Sequence, residues 1–196
     1  MNFLMENWPR IGVVYVIIIT PILFYCKTRL GLPLFLIWLM PPIYLLHQAE
    51  EYLIPGGFKK ELHKKLTGDE ESTGPLISLS AFIINVPMIW IVFPLFAALA
   101  TCYNNLNFGV YIFYFSVLNG FTHVGLGIVE GRYNPGLFVS FFGNVLFGLI
   151  SLTVLHGTGE ILPAHIIFSV IVGILIHLAI ILPLRLKTKA LKKGKI

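Results

Sequence analysis

The chain has 196 residues, of which 57% are hydrophobic and only 12% are charged, and its mean hydropathy is +0.85. Soluble domains carry about 25% charged residues, so this composition excludes an ordinary soluble domain, and two cysteines are too few for a disulfide scaffold. The net charge of +5 does not indicate a nucleic-acid partner, because basic residues of membrane proteins mark the cytoplasmic side. The length accommodates about six spans of roughly 20 residues. It therefore predicts an all-α, polytopic integral membrane protein, a helical bundle that forms a single transmembrane domain over residues 1–196.

Six apolar runs are separated by short polar or turn-like segments. They predict six transmembrane helices, over residues 11–26, 30–53, 76–100, 108–129, 137–155 and 161–184. Residues 55–75 are the one long charged connection, and we expect them to form a loop outside the bilayer. Within this loop Phe58, Leu62 and Leu66 recur at four-residue steps among lysines, which predicts a short helix lying in the membrane interface.

The basic residues are distributed unequally between the two sides of this arrangement. Twelve of the 14 lysines and arginines fall on the side of the termini, and half of these twelve lie in the tail 185–196. The positive-inside rule then places both termini, the loop 55–75 and the basic tail in the cytoplasm of a multi-pass protein of the cell membrane. Cys26 and Cys102 fall near the outer ends of their spans, where they are either free or paired as a disulfide.

Two predicted spans carry groups of polar residues that share a helix face. The second span ends with His47, Glu50 and Glu51, whose spacing of three and four residues puts both carboxylates beside the imidazole. The fourth span carries Asn119 and His123, which are four residues apart and therefore also lie on one face. Ionisable residues inside spans are energetically expensive, so these are the first candidates for a functional site.

Three more polar residues lie at a similar depth in other spans. Asn85, Asn144 and His177 belong to the third, fifth and sixth spans. At 1.5 Å per residue, these three residues together with His47 and His123 all fall about 10 Å inside the predicted cytoplasmic boundary. Unrelated polar residues would scatter in depth, so we expect these residues to meet or to line one water-filled cavity.

The residue types in this layer are those of a divalent metal site. Zinc accepts nitrogen from His and oxygen from Glu, and a catalytic zinc keeps one position open for water. We expect His47, His123 and one of Glu50 and Glu51 to bind the metal, while the other Glu acts as general base. Asn119 would orient a ligand or stabilise an oxyanion. Without a cation, the two adjacent carboxylates would instead share a proton.

Three motifs in this sequence resemble the HXXEE domain family of membrane proteins. Residues 47–51 match its H-x-x-E-E motif, residues 119–123 match N-x-x-x-H, and residues 133–136 match Y-x-P-G. The resemblance implies an enzyme whose reaction is uncharacterised, and it adds Tyr133 as a candidate catalytic residue. The alternative for residues 133–136 is a purely structural turn, because Pro-Gly is common turn chemistry.

A looser similarity links the same residues to the CAAX-type intramembrane proteases. Those enzymes use a Glu-Glu pair together with His and Asn from other spans, as Glu50, Glu51, Asn119 and His123 would here. Pro55 stands where those proteases have Arg, so the similarity is one of chemistry.

These observations lead to one main functional hypothesis and two alternatives. The main hypothesis is a cytoplasm-facing, metal-dependent intramembrane hydrolase that acts on a lipid, a prenyl-like chain or a lipidated peptide. One alternative is a metal-free lipid enzyme with His/Glu acid–base chemistry, similar to the emopamil-binding sterol isomerases. The other is a proton- or cation-linked carrier or a small-molecule binding protein. In each case the expected partners are membrane lipids and an amphipathic small molecule, with no nucleic acid.

Overall fold

Every regular element in the described part of the chain is a helix. The computed structural model describes residues 3–67 and 75–192, and among these it places all side chains except those of residues 66, 67, 75–77, 180, 181 and 183–192. The six helices are α1 (Phe3–Tyr52), α2 (Phe58–Thr67), α3 (Pro75–Asn85, Val86–Val92 and Phe93–Cys102 in succession), α4 (Asn107–Glu130), α5 (Leu137–Val139, Ser140–Phe147 and Gly148–Gly157 in succession) and α6 (Pro163–Lys192). The middle segments of α3 and α5 are π-helical.

The long apolar helices confirm the prediction of an all-α membrane protein. Four helices of the described chain are long and apolar enough to cross a membrane, namely Phe3–Tyr52, Ser78–Cys102, Asn107–Glu130 and Leu137–Gly157. Their outer surfaces expose large apolar side chains such as Ile17, Ile91 and Phe138. Only lipid solvates such surfaces favourably while the backbone stays hydrogen-bonded within each helix.

The first helix is a hairpin that contains two of the predicted spans. Gly31 has φ 72° and ψ 162°, which breaks the helix between residues 3–30 and residues 32–52. The two arms then run antiparallel, because the rings of Trp8 and Tyr52 lie 4.8 Å apart and those of Phe24 and Phe35 lie 5.3 Å apart. The sequence predicted a turn at residues 27–29. The structure keeps these residues helical and places the reversal at Gly31, the residue that adopts a positive φ without strain.

The predicted span 161–184 corresponds to α6, whose described apolar part is Pro163–Ala179. The backbone of α6 continues to Lys192, so the first residues of the predicted tail are helical. The side chains of residues 185–192 and all of residues 193–196 lie outside the described residues. The placement of the tail and of both termini in the cytoplasm stays a prediction.

Helix α4 lies at the centre of the bundle and contacts α1, α3, α5 and α6. Its glycines allow neighbouring helices to approach closely. A Cβ on Gly109 would collide with Ile37, and a Cβ on Gly120 would lie 2.7 Å from Val145 Cγ2. Small residues at helix crossings are typical of membrane bundles, in which van der Waals packing drives helix association.

The short helix predicted within residues 55–75 is α2. Its apolar side faces the protein: the Phe58 ring lies 5.7 Å from that of Tyr52, and Leu62 lines an internal cavity. The Leu66 side chain lies outside the described side chains. That α2 lies in the membrane interface stays a prediction, whereas its packing over the end of the bundle is observed.

Four alternating charges connect α2 to the end of α4. Lys65 Nζ lies 2.9 Å from Glu61 and 2.6 Å from Glu130, while Arg132 Nη2 lies 2.8 Å from Glu61 and 2.7 Å from Glu130. Each acid contacts both bases, so the four side chains form a closed ring of ion pairs.

Cys26 and Cys102 are both free thiols, so the disulfide alternative is not observed.

Candidate metal centre

The structure brings His47, Glu51 and His123 together from two helices. Glu51 Oε2 lies 3.6 Å from His47 Nε2, and Glu51 Oε1 lies 3.3 Å from His123 Nε2. One ligand atom from each of the three residues lies within 4.8 Å of the others, and all three side chains are buried. Spans two and four are therefore neighbours, as the common depth of their polar residues predicted, and Glu51 lies between the two imidazoles.

The second nitrogen of His47 is held by the first turn of α5. His47 Nδ1 lies 3.2 Å from the carbonyl oxygen of Gly136 and 3.2 Å from Ser140 Oγ. Since a carbonyl oxygen only accepts hydrogen bonds, the Nδ1 proton is donated to it. Nε2 is then the unprotonated nitrogen of the neutral ring, and it accepts a hydrogen bond from Asn119 Nδ2 at 3.1 Å.

His123 is oriented in the same way by a side chain instead of a carbonyl group. Asn134 Nδ2 donates to the His123 carbonyl oxygen at 2.9 Å, which turns Asn134 Oδ1 toward the ring. His123 Nδ1 donates to that oxygen at 3.0 Å, so its Nε2 lone pair points at Glu51. Ligating histidines in metal sites usually donate their second N–H to such a carbonyl or carboxylate oxygen, which fixes the tautomer.

Positive charge between the three side chains would stabilise this arrangement. Glu51 Oε2 is too far from His47 Nε2 for a hydrogen bond, whereas the 3.3 Å between Glu51 Oε1 and His123 Nε2 allows one only if one of these two atoms carries a proton. A divalent cation or shared protons would remove the repulsion between the carboxylate oxygens and the imidazole lone pairs. Two His and one Glu are also a known ligand set of catalytic zinc, in which the fourth position stays open.

Glu50 lies next to this cluster in sequence but points away from it. Its Oε1 accepts hydrogen bonds from the Phe138 amide at 2.9 Å and from the Tyr133 hydroxyl at 2.7 Å, and its Oε2 accepts one from the Val139 amide at 2.6 Å. A carboxylate at the first amides of α5 is stabilised by the positive end of the helix dipole. The structure thus separates the two carboxylates that the sequence treated as equivalent: only Glu51 reaches both histidines.

Tyr133 contacts Glu50 and not the cluster. Burial and the hydrogen bond to the Glu50 carboxylate raise the pKa of the Tyr133 phenol well above its ordinary value. The hydroxyl therefore stays protonated and donates to Glu50 at any physiological pH. For Tyr133 the observed contacts correspond to the structural interpretation of residues 133–136. Its hydroxyl donates to Glu50, the carboxylate that accepts hydrogen bonds from the first amides of α5.

Gly136 is the point at which this segment touches both proposed ligands. It has φ 91°, and a Cβ built on it would lie 2.7 Å from Glu51 Cγ and 2.7 Å from His47 Cε1. Only glycine fits this conformation and this contact. The structure thus assigns residues 134–136 to the support of the cluster, through Asn134 on His123 and Gly136 on His47. Sequence reasoning missed Asn134, Gly136 and Ser140 as site residues, although two of them belong to the third motif.

Three further polar residues of the predicted layer have separate environments. Asn85 Nδ2 donates to Tyr52 Oη at 3.2 Å, and Asn85 Oδ1 accepts from Gln48 at 3.1 Å. His177 Nδ1 donates to the Gly173 carbonyl of its own helix at 2.7 Å. Asn85 and His177 line the same cavity as the cluster, but Asn144 is fully buried outside it and its amide has no hydrogen-bond partner in the described structure. The expected common cavity is therefore observed for His47, His123, Asn85 and His177 and not for Asn144.

A cavity of about 820 Å³ opens beside the cluster. His47, Glu51, Asn119 and His123 lie on its wall, and most of its remaining lining is apolar. Helix α2 contributes Phe58 and Leu62 together with the ion-paired Glu61 and Lys65. The size is that of small-molecule sites, which combine apolar walls with a few polar groups that fix orientation.

Comparisons with known proteins identify a family and no function. No curated protein and no solved structure matches the chain. The model of one family, described as a protein of unknown function with HXXEE motif, matches residues 38–151. These residues make up more than half of the chain, and they contain the cluster, its supporting segment 134–136 and most of the cavity wall. The resemblance to this family is thereby confirmed, and the chain belongs to the HXXEE family.

Proposed function

We propose that this protein is a metal-dependent intramembrane enzyme of the hydrolase type, which acts in the cell membrane on an amphipathic substrate from the cytoplasmic side. The observation that carries the proposal is the convergence of His47 Nε2, His123 Nε2 and the Glu51 carboxylate at the wall of a largely apolar cavity. The supporting contacts on both Nδ1 atoms are those expected of metal ligands.

His47, Glu51 and His123 would hold the ion, with Zn²⁺ the expected metal from this donor set. When bound, such an ion supplies a Lewis acid and lowers the pKa of a bound water toward 7. The adjacent amide of Asn119, now hydrogen-bonded to His47 Nε2, would then be free to bind a substrate oxygen.

The roles proposed for Glu50 and Glu51 differ from those that the sequence hypothesis gave them. Both oxygens of Glu50 are engaged by α5 and Tyr133, so Glu50 and Tyr133 act as positioning residues in this proposal. Glu51 is the one carboxylate grouped with both imidazoles in the described chain. We therefore assign to Glu51 the metal ligand role and, through its second oxygen, the acceptance of a proton from the attacking water.

The cavity supports the assignment of an amphipathic substrate. Its polar groups are concentrated at the cluster and at α2, while Ile84, Met88, Ile89 and Val92 of α3 line an apolar side. A lipid, a prenyl-like molecule or a lipidated peptide has a polar group at one end and an apolar chain at the other, which matches this distribution of polar and apolar groups in the cavity.

Metal analysis of the purified full chain tests the first part of this proposal. We expect about one divalent ion per chain after dialysis against Zn²⁺, measured by elemental analysis. His123→Ala should weaken metal binding by more than about 100-fold, since loss of even an outer-shell partner costs about 10–100-fold. His177→Ala is the matched control, because His177 lines the same cavity but contacts the Gly173 carbonyl and is not one of the three grouped ligands. A wild-type protein that takes up no metal, or equal metal content in both variants, would refute the metal centre.

Activity on defined probes tests the second part. The protein in lipid nanodiscs would be offered a p-nitrophenyl ester of a long-chain fatty acid and, separately, a prenylated or acylated peptide. We expect hydrolysis that Glu51→Gln abolishes, because this substitution removes both a ligand and the proton acceptor. Turnover that is unaffected by Glu51→Gln would refute its proposed role.

A metal-free acid–base enzyme is the second candidate, and one observation favours it. Glu51 Oε1 lies 3.3 Å from His123 Nε2, which is close enough for the pair to share a proton. Such a pair could move a proton within a bound lipid, as an isomerase requires. Failure to bind any divalent ion, together with lipid turnover that needs both Glu51 and His123, would establish this candidate in place of the hydrolase.

A further inference from the structure

We propose that the cavity binds one long, flexible hydrocarbon chain, as in a fatty-acyl lipid, which runs from the cluster between α3, α4 and α6 toward the opposite end of the bundle. The position of the polar head beside His47, Glu51 and His123 rests on the proposed function. The path of the chain rests on a second, separate part of the interior.

A small pocket of about 90 Å³ lies directly beyond the main cavity. Four side chains form walls of both spaces, namely those of Met88, Val92, Phe115 and Ile176. The pocket is closed farther along by residues of α3, α4 and α6: Phe93, Phe96, Tyr111, Ile112, Ser169, Val172 and Gly173. The two spaces are therefore consecutive along the bundle, with the polar cluster on the larger one.

The far pocket has little polar surface to offer a ligand. Its two side-chain hydroxyls are already engaged: Ser169 Oγ donates to the His165 carbonyl at 2.5 Å, and Tyr111 Oη lies 2.9 Å from His165 Nδ1. All the other side chains of its lining are apolar. A wall of this kind suits the methyl end of a chain, whereas a polar end would remain unsatisfied there.

The distance from the cluster to the far pocket is that of a long chain. His123 and Tyr111 lie on the same helix and are separated by twelve residues, which corresponds to about 18 Å along the axis of α4. This length is on the scale of a fatty-acyl chain. The small volume of the far pocket admits a slim chain and leaves no room for a fused-ring skeleton, so the proposal separates acyl lipids from sterols.

Local backbone features create this path. The π-helical segment Val86–Val92 of α3 contains Pro87, which has no amide proton, and the segment contributes Pro87, Met88 and Val92 to the cavity walls. On α6, a Cβ at Gly173 would lie 2.6 Å from Leu118 Cδ1, so this glycine allows α6 to pack closely against α4. Gly173 of α6 and the π-helical residues Met88 and Val92 of α3 both line the far pocket.

Photo-crosslinking with a fatty acid that carries a diazirine at its chain end tests the path. The purified full chain in nanodiscs would be irradiated with this probe, and labelled residues would be located by mass spectrometry. We expect saturable labelling in the far pocket, at Phe96, Tyr111 or Val172, and competition by the unlabelled fatty acid. A second probe with the diazirine next to the carboxyl group should label residues near Asn119.

Val172→Phe would fill the far pocket and is the decisive variant. It should reduce end-of-chain labelling by at least about tenfold, the effect of roughly two methylene groups that find no room. Ile171→Phe is the matched control, because Ile171 is 50% exposed on the outer side of the same helix. Val172→Ala, which cannot overpack the bundle, should retain labelling. Equal labelling in Val172→Phe and Ile171→Phe, or labelling of outward residues alone, would overturn the proposal.

The outcome is independent of the metal centre. Labelling in the far pocket does not require a bound ion. If the wild-type protein takes up no metal but is still labelled by the probe at Tyr111, the metal-dependent hydrolase is refuted and the path of the chain is supported. Conversely, stoichiometric metal with no labelling of the far pocket would refute the path alone. Equal labelling of the far pocket by a sterol diazirine would refute the preference for a slim chain.

Discussion

Substitution of Gly136 by Ala should damage the cluster although no proposed ligand is replaced. The residue has φ 91°, and an added Cβ would lie 2.7 Å from both Glu51 Cγ and His47 Cε1. Ordinary van der Waals contacts of a Cβ begin at 3.4 Å. The two ligand side chains would therefore have to retreat by roughly 0.7 Å, whereas a metal site tolerates deviations of about 0.2 Å.

The cost in stability has two contributions. A left-handed conformation costs a residue with a Cβ about 1–2 kcal/mol, and overpacking costs about 1–3 kcal/mol. The free energy of unfolding should fall by about 2–5 kcal/mol in total. For a chain of this length, 1 kcal/mol shifts the melting temperature by about 2–4 °C, so the expected decrease is roughly 4–20 °C.

Gly131→Ala separates the two contributions. Gly131 also has a positive φ, of 61°, but a Cβ there would have no neighbour within 4 Å. This control should lose only the backbone term and should keep its metal affinity. Thermal unfolding of the detergent-purified proteins and a Zn²⁺ titration would be measured side by side, with at least about a tenfold loss of affinity expected for Gly136→Ala. Equal stability and equal affinity in the two variants would refute the geometry assigned to Gly136.

Three further substitutions test the separate roles of the residues around the cluster. Glu51→Gln should lose bound metal, whereas Glu50→Gln should keep it. The Glu50→Gln variant should instead lower the free energy of unfolding by about 1–3 kcal/mol, because the new side-chain NH2 group would face a backbone N–H of α5. Equal metal content in both variants would contradict this separation. Asn134→Ala should lower metal affinity by about 10–100-fold through loss of the contact that orients His123, and an unchanged Zn²⁺ titration would contradict that role. Tyr133→Phe should cost about 1 kcal/mol in thermal unfolding, with metal content unchanged. Since the pKa of the Tyr133 phenol is raised by burial and by Glu50, the hydroxyl stays protonated in the folded protein, and this cost should be constant between pH 6 and about pH 9; a cost that disappears as pH rises through this range would exclude the proposed donor.

Helical periodicity was sufficient to find the histidines of the cluster. His47 and Glu51 are four residues apart, so they share a face in any helix, and the same spacing brings Asn119 to the side of His123. The prediction that these two faces meet is confirmed by the Glu51–His123 contact. Periodicity could not distinguish Glu50 from Glu51, because offsets of three and four residues lie almost equally close to His47 on one helix.

The sequence by itself determined the class of the protein, an all-α membrane protein. Long apolar runs must become helices in a bilayer, since no water there can satisfy an open backbone. It also determined which residue types lie on each helix face. The tertiary structure alone decided what those faces meet: the reversal at Gly31, the capture of Glu50 by the amides of α5, and the seating of Gly136 against His47. The last two are contacts between residues 89 positions apart in the chain, and local spacing carries no information about such contacts.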